Sequence, residues 1–173
     1  MWIVILLLAG IVGAVLLVAA MRPNTFRVER SAVVKAAPEK VFALVNDMKA
    51  FNTWNPWLRM EPDAKLSYTG PAQGVGAAYS WDGKKTGAGR MEVLESMPSS
   101  KVGFKLEFLR PFPGTNSAEF TFAPEAGGTR ITWAMLGNLA FVPKVMGLFF
   151  SMDRMIGKSF EDGLANLKQI AEK

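Results

Sequence analysis

The sequence contains neither cysteine nor histidine among its 173 residues. The absence of cysteine excludes disulfide bonds, thiolate metal sites and cysteine nucleophiles, and it leaves the redox compartment undetermined. The absence of histidine removes the commonest general base and the commonest zinc ligand. Catalysis by Ser-His-Asp or Cys-His groups is therefore impossible within this chain. We expect no metal ion and no cofactor, and we expect any activity to be independent of metals.

Charged residues are absent from residues 1–21, which consist almost purely of Ile, Leu, Val, Ala and Gly. About 20 such residues in a helix span the hydrocarbon core of a bilayer. Two interpretations remain open: a retained membrane anchor, or a cleaved signal peptide with Val18 and Ala20 before the cut. No Lys or Arg precedes the apolar run, and the run is long for a signal peptide. We therefore predict a transmembrane anchor over residues 1–22 and one domain over residues 23–173.

The net charge of +5 is carried entirely by residues that follow the apolar run. Arg22, Arg27, Arg30 and Lys35 come soon after it, against Glu29 alone. The positive-inside rule then predicts a single-pass protein of the cell inner membrane with its domain in the cytoplasm. A membrane surface is the simplest partner for these charges, because anionic lipids attract basic residues beside a span. Nucleic acid is not expected, since Lys and Arg are scattered between acids and form no stripe.

Apolar periodicity predicts a sheet followed by a long helix. Residues 26–34 alternate between apolar and polar, as a half-buried strand does, and Pro38 suits the first position of a short helix. Between residues 65 and 138, short alternating stretches are separated by turn signals about every 8–12 residues, which predicts an antiparallel meander of six or seven strands. A terminal helix is predicted by apolar residues at steps of three or four: Met152, Ile156, Phe160, Leu164 and Leu167.

The segment PEKVFALVNDMKAFNTWNPW, residues 38–57, resembles the first helix and following loop of the START-like, polyketide cyclase superfamily (SRPBCC proteins). The matching positions are Ala37, Pro38, Val41, Phe42, Asp47, Trp54, Asn55, Pro56 and Trp57. Residues 160–173 also look like the ends of bacterial members. The resemblance implies an α+β helix-grip fold of the START/Bet v1-like type, in which an antiparallel sheet wraps round a long C-terminal helix. The predicted transmembrane helix would be an addition at the N-terminus. The resemblance also implies a structural role for Trp54 and Trp57, whose turn would close the first helices over the sheet.

A curved sheet closed by an amphipathic helix leaves a cavity wherever the facing side chains do not fill it. The alternation places these candidates on the inner face of the sheet: Tyr68, Tyr79, Trp81, Phe104, Phe108, Phe120, Trp133 and Met135. The C-terminal stretch would add Met146, Phe149, Met152 and Ile156. Aromatic and methionine side chains suit an adaptable apolar pocket. The alternative is that the same residues pack a solid core.

Three functions stay open, because the superfamily covers cyclases, hydrolases, lipid carriers and plain binding proteins. The first, which we favour, is a membrane-anchored and monomeric domain that binds an apolar small molecule or a lipid. The second is an enzyme of the cyclase or dehydratase kind, in which Tyr68, Tyr79, Arg90, Glu107 or Asp153 would assist proton transfer. The third is a structural adaptor with a filled core. We predict no catalytic residue, since no pair of carboxylates is placed for general acid–base work.

Overall fold

The computed structural model describes residues 2–139, 141–148 and 151–173. Its first element is α1, Trp2–Met21, a helix of 20 residues that is long and apolar enough to cross a membrane. Ala19 is the one buried residue of this helix, and from Trp2 to Ala14 every residue is exposed. The helix therefore leaves the domain with its apolar surface uncovered. A signal sequence has the same length and composition, so the role of α1 is taken up as a proposal below.

Seven strands form one sheet, and every neighbouring pair is antiparallel. The strands are β1 (Thr25–Val34), β2 (Lys65–Thr69), β3 (Ala78–Asp82), β4 (Ala88–Met97), β5 (Lys101–Arg110), β6 (Gly114–Glu125) and β7 (Gly128–Asn138). Their order in space is β1-β7-β6-β5-β4-β3-β2, so β2 to β7 form a meander and β1 closes it beside β7. The predicted α+β fold with an antiparallel sheet is confirmed.

The register brings one end of every strand to the same side of the molecule. Thr25 of β1 lies opposite Asn138 of β7, and Ala88 of β4 lies opposite Arg110 of β5. In the same way Lys65 lies opposite Asp82, and Phe108 lies opposite Gly114. We call this side the α1 end of the sheet, because α1 leads into it through residues 22–24. The opposite side carries the far ends of the same strands.

Three short helices cover the sheet between β1 and β2: α2 (Pro38–Asn46), α3 (Met48–Trp54) and α4 (Pro56–Met60). Each change of direction follows from one polar side chain. The carboxylate of Asp47 accepts hydrogen bonds from the backbone N–H groups of Lys49 and Ala50, at 2.7 and 3.0 Å, and so begins α3. Asn55 accepts the N–H of Trp57 at 3.1 Å and begins α4.

Two further helices follow the sheet, α5 (Phe141–Met146) and α6 (Met152–Ala171). α6 begins as a separate helix because the Ser151 hydroxyl accepts the N–H of Arg154 and caps it. Arg30 of β1 holds the start of α6 against the sheet. Its guanidinium bonds to Asp153 at 3.0 Å and to Glu161 at 2.8 Å.

Phe51 of α3 lies at the centre of the core between the short helices and the sheet. Its ring centroid is 4.6 Å from that of Trp54, 5.9 Å from Phe104 and 6.1 Å from Phe120. Trp54 is fully buried, and its indole N–H donates to the carbonyl of Leu44 at 2.8 Å. Phe51 and Trp54 therefore anchor α3 in the core.

Candidate functional site

A cavity of about 520 Å³ lies between the inner face of the sheet, α4 and the first turn of α6. Its wall is mainly aromatic and is formed by Phe51, Trp57, Tyr79, Trp81, Phe108, Phe120 and Trp133. Aliphatic and methionine side chains fill the gaps between the rings, among them Leu58, Met91, Leu106, Met135 and Ile156. The volume lies in the range that small-molecule sites occupy.

The cavity reaches the surface at the α1 end of the sheet. Thr86 of the β3–β4 loop and residues 110–114 of the β5–β6 connection line it there, together with Leu139 and Met155. Phe112 is 77% exposed and Met155 is 66% exposed, so the apolar lining continues onto the outside of the molecule. We call this opening the mouth of the cavity.

The structure brings seven of the predicted pocket residues together around this space. They are Tyr79, Trp81, Phe108, Phe120, Trp133, Met135 and Ile156. They come from β3, β5, β6, β7 and α6, and in each strand they occupy the positions that alternation assigns to the inner face. Trp133 lies flat between two other rings, with its centroid 4.0 Å from Phe160 and 4.8 Å from Phe120.

Three predicted pocket residues lie elsewhere. Tyr68 belongs to the edge strand β2, is 40% exposed, and accepts a hydrogen bond from Asn52 at 3.1 Å. Phe104 is buried behind Phe51 and Phe120 as part of the solid core, which the alternation of β5 does not distinguish from the cavity wall. Met146 is 51% exposed on α5. Phe149 lies outside the described residues, as does the side chain of Met152.

Sequence reasoning missed the side of the cavity that the short helices and the β5–β6 connection provide. Phe51 and Trp57 line the cavity, although neither was predicted there and the resemblance implied a structural role for Trp57. Pro111, Phe112 and Pro113 form one lip of the mouth, and none of them was among the predicted pocket residues. A phenylalanine between two prolines, which cannot continue a strand, is the sequence signal that could have identified this lip.

Two polar side chains are buried in the wall, Asn55 and Tyr79. Four partly or fully exposed polar residues also line the cavity: Thr86, Arg110, Asn116 and Asn138. The amide nitrogen of Asn55 donates to the Tyr79 hydroxyl oxygen at 3.1 Å and to the Asn52 side-chain oxygen at 3.0 Å. Burial raises the pKa of Tyr79 well above its usual value, so its phenol keeps its proton. Among the described residues, the bond from Asn55 is the one hydrogen bond of this hydroxyl, and the phenol proton is left to donate.

Trp133 carries a buried donor without a partner. No described group accepts the hydrogen bond of its indole Nε1. Buried donors without acceptors are rare in folded proteins, because each costs the desolvation of a polar group. The Nε1 atom has almost no accessible surface, so the Tyr79 hydroxyl is the buried donor that the wall offers to whatever enters the cavity.

The remaining candidates for proton transfer are occupied by ion pairs away from the cavity wall. Arg90 pairs with Glu92 at 2.5 Å, and Glu107 pairs with Lys105 at 2.7 Å. Asp153 binds Arg30, which holds the pKa of its carboxyl below the usual range. Within the described part of the chain, no carboxylate lines the cavity, and no cluster of acidic side chains could hold a metal ion.

Comparison with known proteins assigns most of the sequence to a family. The family model described as polyketide cyclase / dehydrase and lipid transport matches residues 25–172. The match covers the whole sheet and α6, and α1 precedes it. No curated protein matches the sequence at a significant level.

Solved structures share the fold at low sequence identity. Protein CV1439 from Chromobacterium violaceum is 21% identical, with a TM-score of 0.62 over 88% of this chain and 99% of that one. The Aha1 dimer from Colwellia psychrerythraea is 17% identical, with a TM-score of 0.59 over 85% of this chain and 96% of that one. The di-domain ARO/CYC StfQ from the steffimycin biosynthetic pathway is 14% identical, with a TM-score of 0.61 over 86% of this chain and 52% of its own. At these identities the likeness concerns the fold alone.

Proposed function

Because the chain belongs to the polyketide cyclase / dehydrase and lipid transport family over residues 25–172, we propose that its domain binds an apolar small molecule or a lipid in the cavity between the sheet and α6. The observation that carries this proposal is the cavity itself. About 520 Å³ of space remains inside a wall of aromatic rings, where a solid core would have been filled. An adaptor with a filled interior does not fit this architecture.

The proton of the buried Tyr79 hydroxyl narrows the class of ligand. A pure hydrocarbon would leave this proton without an acceptor. A ligand with a carbonyl, carboxyl or ester oxygen would accept it, while its carbon chain covers the aromatic wall. We therefore propose an apolar ligand with an oxygen acceptor. Contact area should set most of its affinity, and the acceptor should set its orientation.

The proposal includes the membrane. With α1 as a retained anchor, the domain would be tethered at the cytoplasmic face of the inner membrane in a single-pass protein. The basic residues that follow α1 support this orientation. We propose that the domain acts as a monomer, since its apolar stripes find their partners within the chain.

The cavity is tested by filling it. Ala118 is buried in the cavity wall, and its neighbour Ser117 is exposed on the outer face of the same strand, β6. Full-length protein in lipid nanodiscs is titrated with a fluorescent fatty acid that accepts energy from tryptophan, and empty nanodiscs serve as the blank. Ala118→Phe should abolish saturable energy transfer, whereas Ser117→Phe should leave it unchanged. Equal binding by both variants, or no saturable binding by the native chain, would refute the proposal.

The acceptor is tested by removing one donor. Tyr79→Phe deletes only the hydroxyl and should weaken binding of the fatty acid about two- to tenfold, since a buried hydrogen bond contributes roughly 0.5–1.5 kcal/mol. A hydrocarbon probe of the same length should bind the variant and the native protein equally. An equal loss of affinity for both probes would indicate a structural effect of the substitution and would contradict an oxygen acceptor in the ligand.

A cyclase or dehydratase remains the second candidate, and the same residue favours it. The protonated Tyr79 phenol could donate to a carbonyl oxygen of a bound polyketide-like chain as that oxygen gains charge. An enzyme would convert such a chain into a product with new carbon–carbon bonds or fewer oxygens, which mass spectrometry detects. Tyr79→Phe would then lower kcat more than it raises KM, whereas a binding protein would release the chain unchanged.

A further inference from the structure

We propose that the mouth of the cavity faces the bilayer, and that its rim contacts an anionic lipid surface from which the ligand enters directly. The rim consists of Lys84, Lys85, Phe112 and Met155. This inference rests on the proposed function, because it takes α1 as the membrane span and the cavity as a ligand site. It adds a surface, its lipid partner and a route of entry.

The first argument is the position of the mouth relative to α1. The helix joins the domain at Thr25, and Thr25 lies at the same end of the sheet as Asp82, Ala88, Arg110 and Gly114. The loops between those strand ends carry the mouth. A span that ends at this side of the sheet therefore brings the mouth, and not the far end, next to the membrane.

The second argument is the short and bonded connection between α1 and β1. Residues 22–24 can extend over about 10 Å at most. Arg22 donates to the carbonyl of Gly147 at 2.9 Å, and the carbonyl of Asn24 accepts the N–H of Leu139 at 2.7 Å. Lys144 also donates to the side chain of Asn24. These bonds tie the connection to the segment between β7 and α6, so the domain cannot turn its mouth away from the membrane without breaking them.

The third argument is the chemistry of the rim. Phe112 and Met155 are both largely exposed although apolar, and both continue the lining of the cavity. Lys84 and Lys85 are exposed at the tip of the β3–β4 loop, whose Gly87 lies against Arg110 and Pro111 of the mouth, and neither lysine forms an ion pair with a described residue. Exposed apolar groups next to unpaired cations are the combination that binds an anionic membrane interface.

Glu61 does not pair with the ammonium group of either lysine. Its carboxylate accepts the backbone N–H groups of Lys84, Lys85 and Thr86, at 2.7 to 3.1 Å, and so holds the loop from below. The ammonium groups of the two lysines remain free to meet lipid phosphates. At the far end of the sheet, in contrast, Lys101 is paired with Glu95 at 2.8 Å.

The absence of cysteine makes the experiment direct, because each single-cysteine variant carries one label on an otherwise native chain. Full-length protein is reconstituted into vesicles of equal parts phosphatidylcholine and phosphatidylglycerol, with or without brominated acyl chains. An environment-sensitive fluorophore is attached at Phe112→Cys in the rim, or at Val75→Cys as the matched control. Val75 is also apolar and 61% exposed, but it lies in the β2–β3 loop at the far end.

We expect brominated lipid to quench the label at position 112 several-fold more than the label at position 75. Equal quenching at both positions, or none at position 112, would overturn the inference. The experiment is independent of ligand binding, since the cavity is tested by the Ala118 and Ser117 variants. If the native protein does not bind the fatty acid but the label at position 112 is quenched, the proposed function alone is refuted. If the native protein binds the fatty acid but the label at position 112 is not quenched, the orientation alone is refuted.

The route of entry is tested with charge reversal. Lys84→Glu combined with Lys85→Glu should slow the transfer of the fluorescent fatty acid from anionic vesicles to the domain at least several-fold. The same pair of substitutions should not slow transfer from pure phosphatidylcholine vesicles, and the final occupancy should stay unchanged. Equal rates for the native and variant proteins on anionic vesicles would refute a role for the rim in ligand exchange.

Discussion

Replacing Phe51 by alanine should strongly destabilise the protein. The ring is buried at the centre of the aromatic cluster and contacts Trp54, Phe104 and Phe120 at centroid distances of 4.6 to 6.1 Å. Its loss removes the apolar transfer free energy of the side chain and leaves a void among rings that cannot close over it. The same ring borders the cavity, so the void merges with space that already exists.

The expected magnitude follows from these two facts. Phenylalanine-to-alanine changes in cores cost about 3–5 kcal/mol, and we expect the lower end because one side of Phe51 already faces the cavity. A loss of about 3 kcal/mol is a large part of the roughly 5–15 kcal/mol that stabilises a native domain. For a chain of this length it corresponds to a fall in Tm of about 6–12 °C.

The assay is thermal unfolding of the full-length protein in nanodiscs, followed by near-ultraviolet circular dichroism of the stacked tryptophans. Phe112→Ala is the matched control, because the same atoms are removed from an exposed ring at the mouth, and a change within about 0.5 kcal/mol is expected there. A loss below about 1 kcal/mol for Phe51→Ala would refute the reasoning, since it would mean that the ring does not support the surrounding cluster.

Three further predictions concern the loop beneath the mouth and the extent of the domain. Gly87→Ala should lower the free energy of unfolding by at least about 1 kcal/mol, because Gly87 has a φ of +70° and an added Cβ would overlap a neighbouring carbonyl. Gly114→Ala is the control, since an added Cβ there meets open space and should leave the free energy of unfolding unchanged. Hydrogen bonds, chiefly from the N–H of Thr86, lower the pKa of Glu61 to about 2. The pKa of Glu61 is lower in the folded than in the unfolded protein, so the ionised carboxylate stabilises the fold fully above its ordinary pKa, and this stabilisation is lost as the pH falls through about 2. Glu61→Gln should remove this pH dependence, which amide exchange of the β3–β4 loop would measure. Residues 23–173 alone should unfold cooperatively as a soluble monomer, and an aggregated product in size-exclusion chromatography would contradict this.

The sheet was predictable because its signals are local. Alternation along Lys101–Arg110 indicates which residues face inward, and Asp82-Gly83 indicates where β3 ends. The resemblance of residues 38–57 added the short helices. The terminal helix was predicted from the apolar spacing that starts at Met152, and the structure adds the cause of its start, since the Ser151 hydroxyl caps it.

The cavity was only partly predictable, because alternation identifies a face and not a depth. Phe104 and Phe120 point to the same side of adjacent strands, yet Phe104 is packed under Phe51 while Phe120 reaches the cavity. Which of two inward residues meets empty space depends on the curvature of the sheet and on where α3 and α4 lie. The register shifts between β4 and β5, at Ala88/Gly89 and at Val93/Glu95, bend the sheet in a way that no single segment encodes.

The cavity wall and the core share rings, and this has a consequence for the ligand. Trp133 stacks on Phe160 in the core with one face and on Phe120 in the wall with the other, so a shift of one ring displaces the next. A ligand that fills the space should therefore stabilise the fold as well as occupy the site, by an amount set by its concentration relative to its Kd. If the ligand-free domain is less stable than the complex, the domain would release its ligand only where another apolar environment lies next to the cavity. With the mouth at the α1 end of the sheet, that environment would be the bilayer.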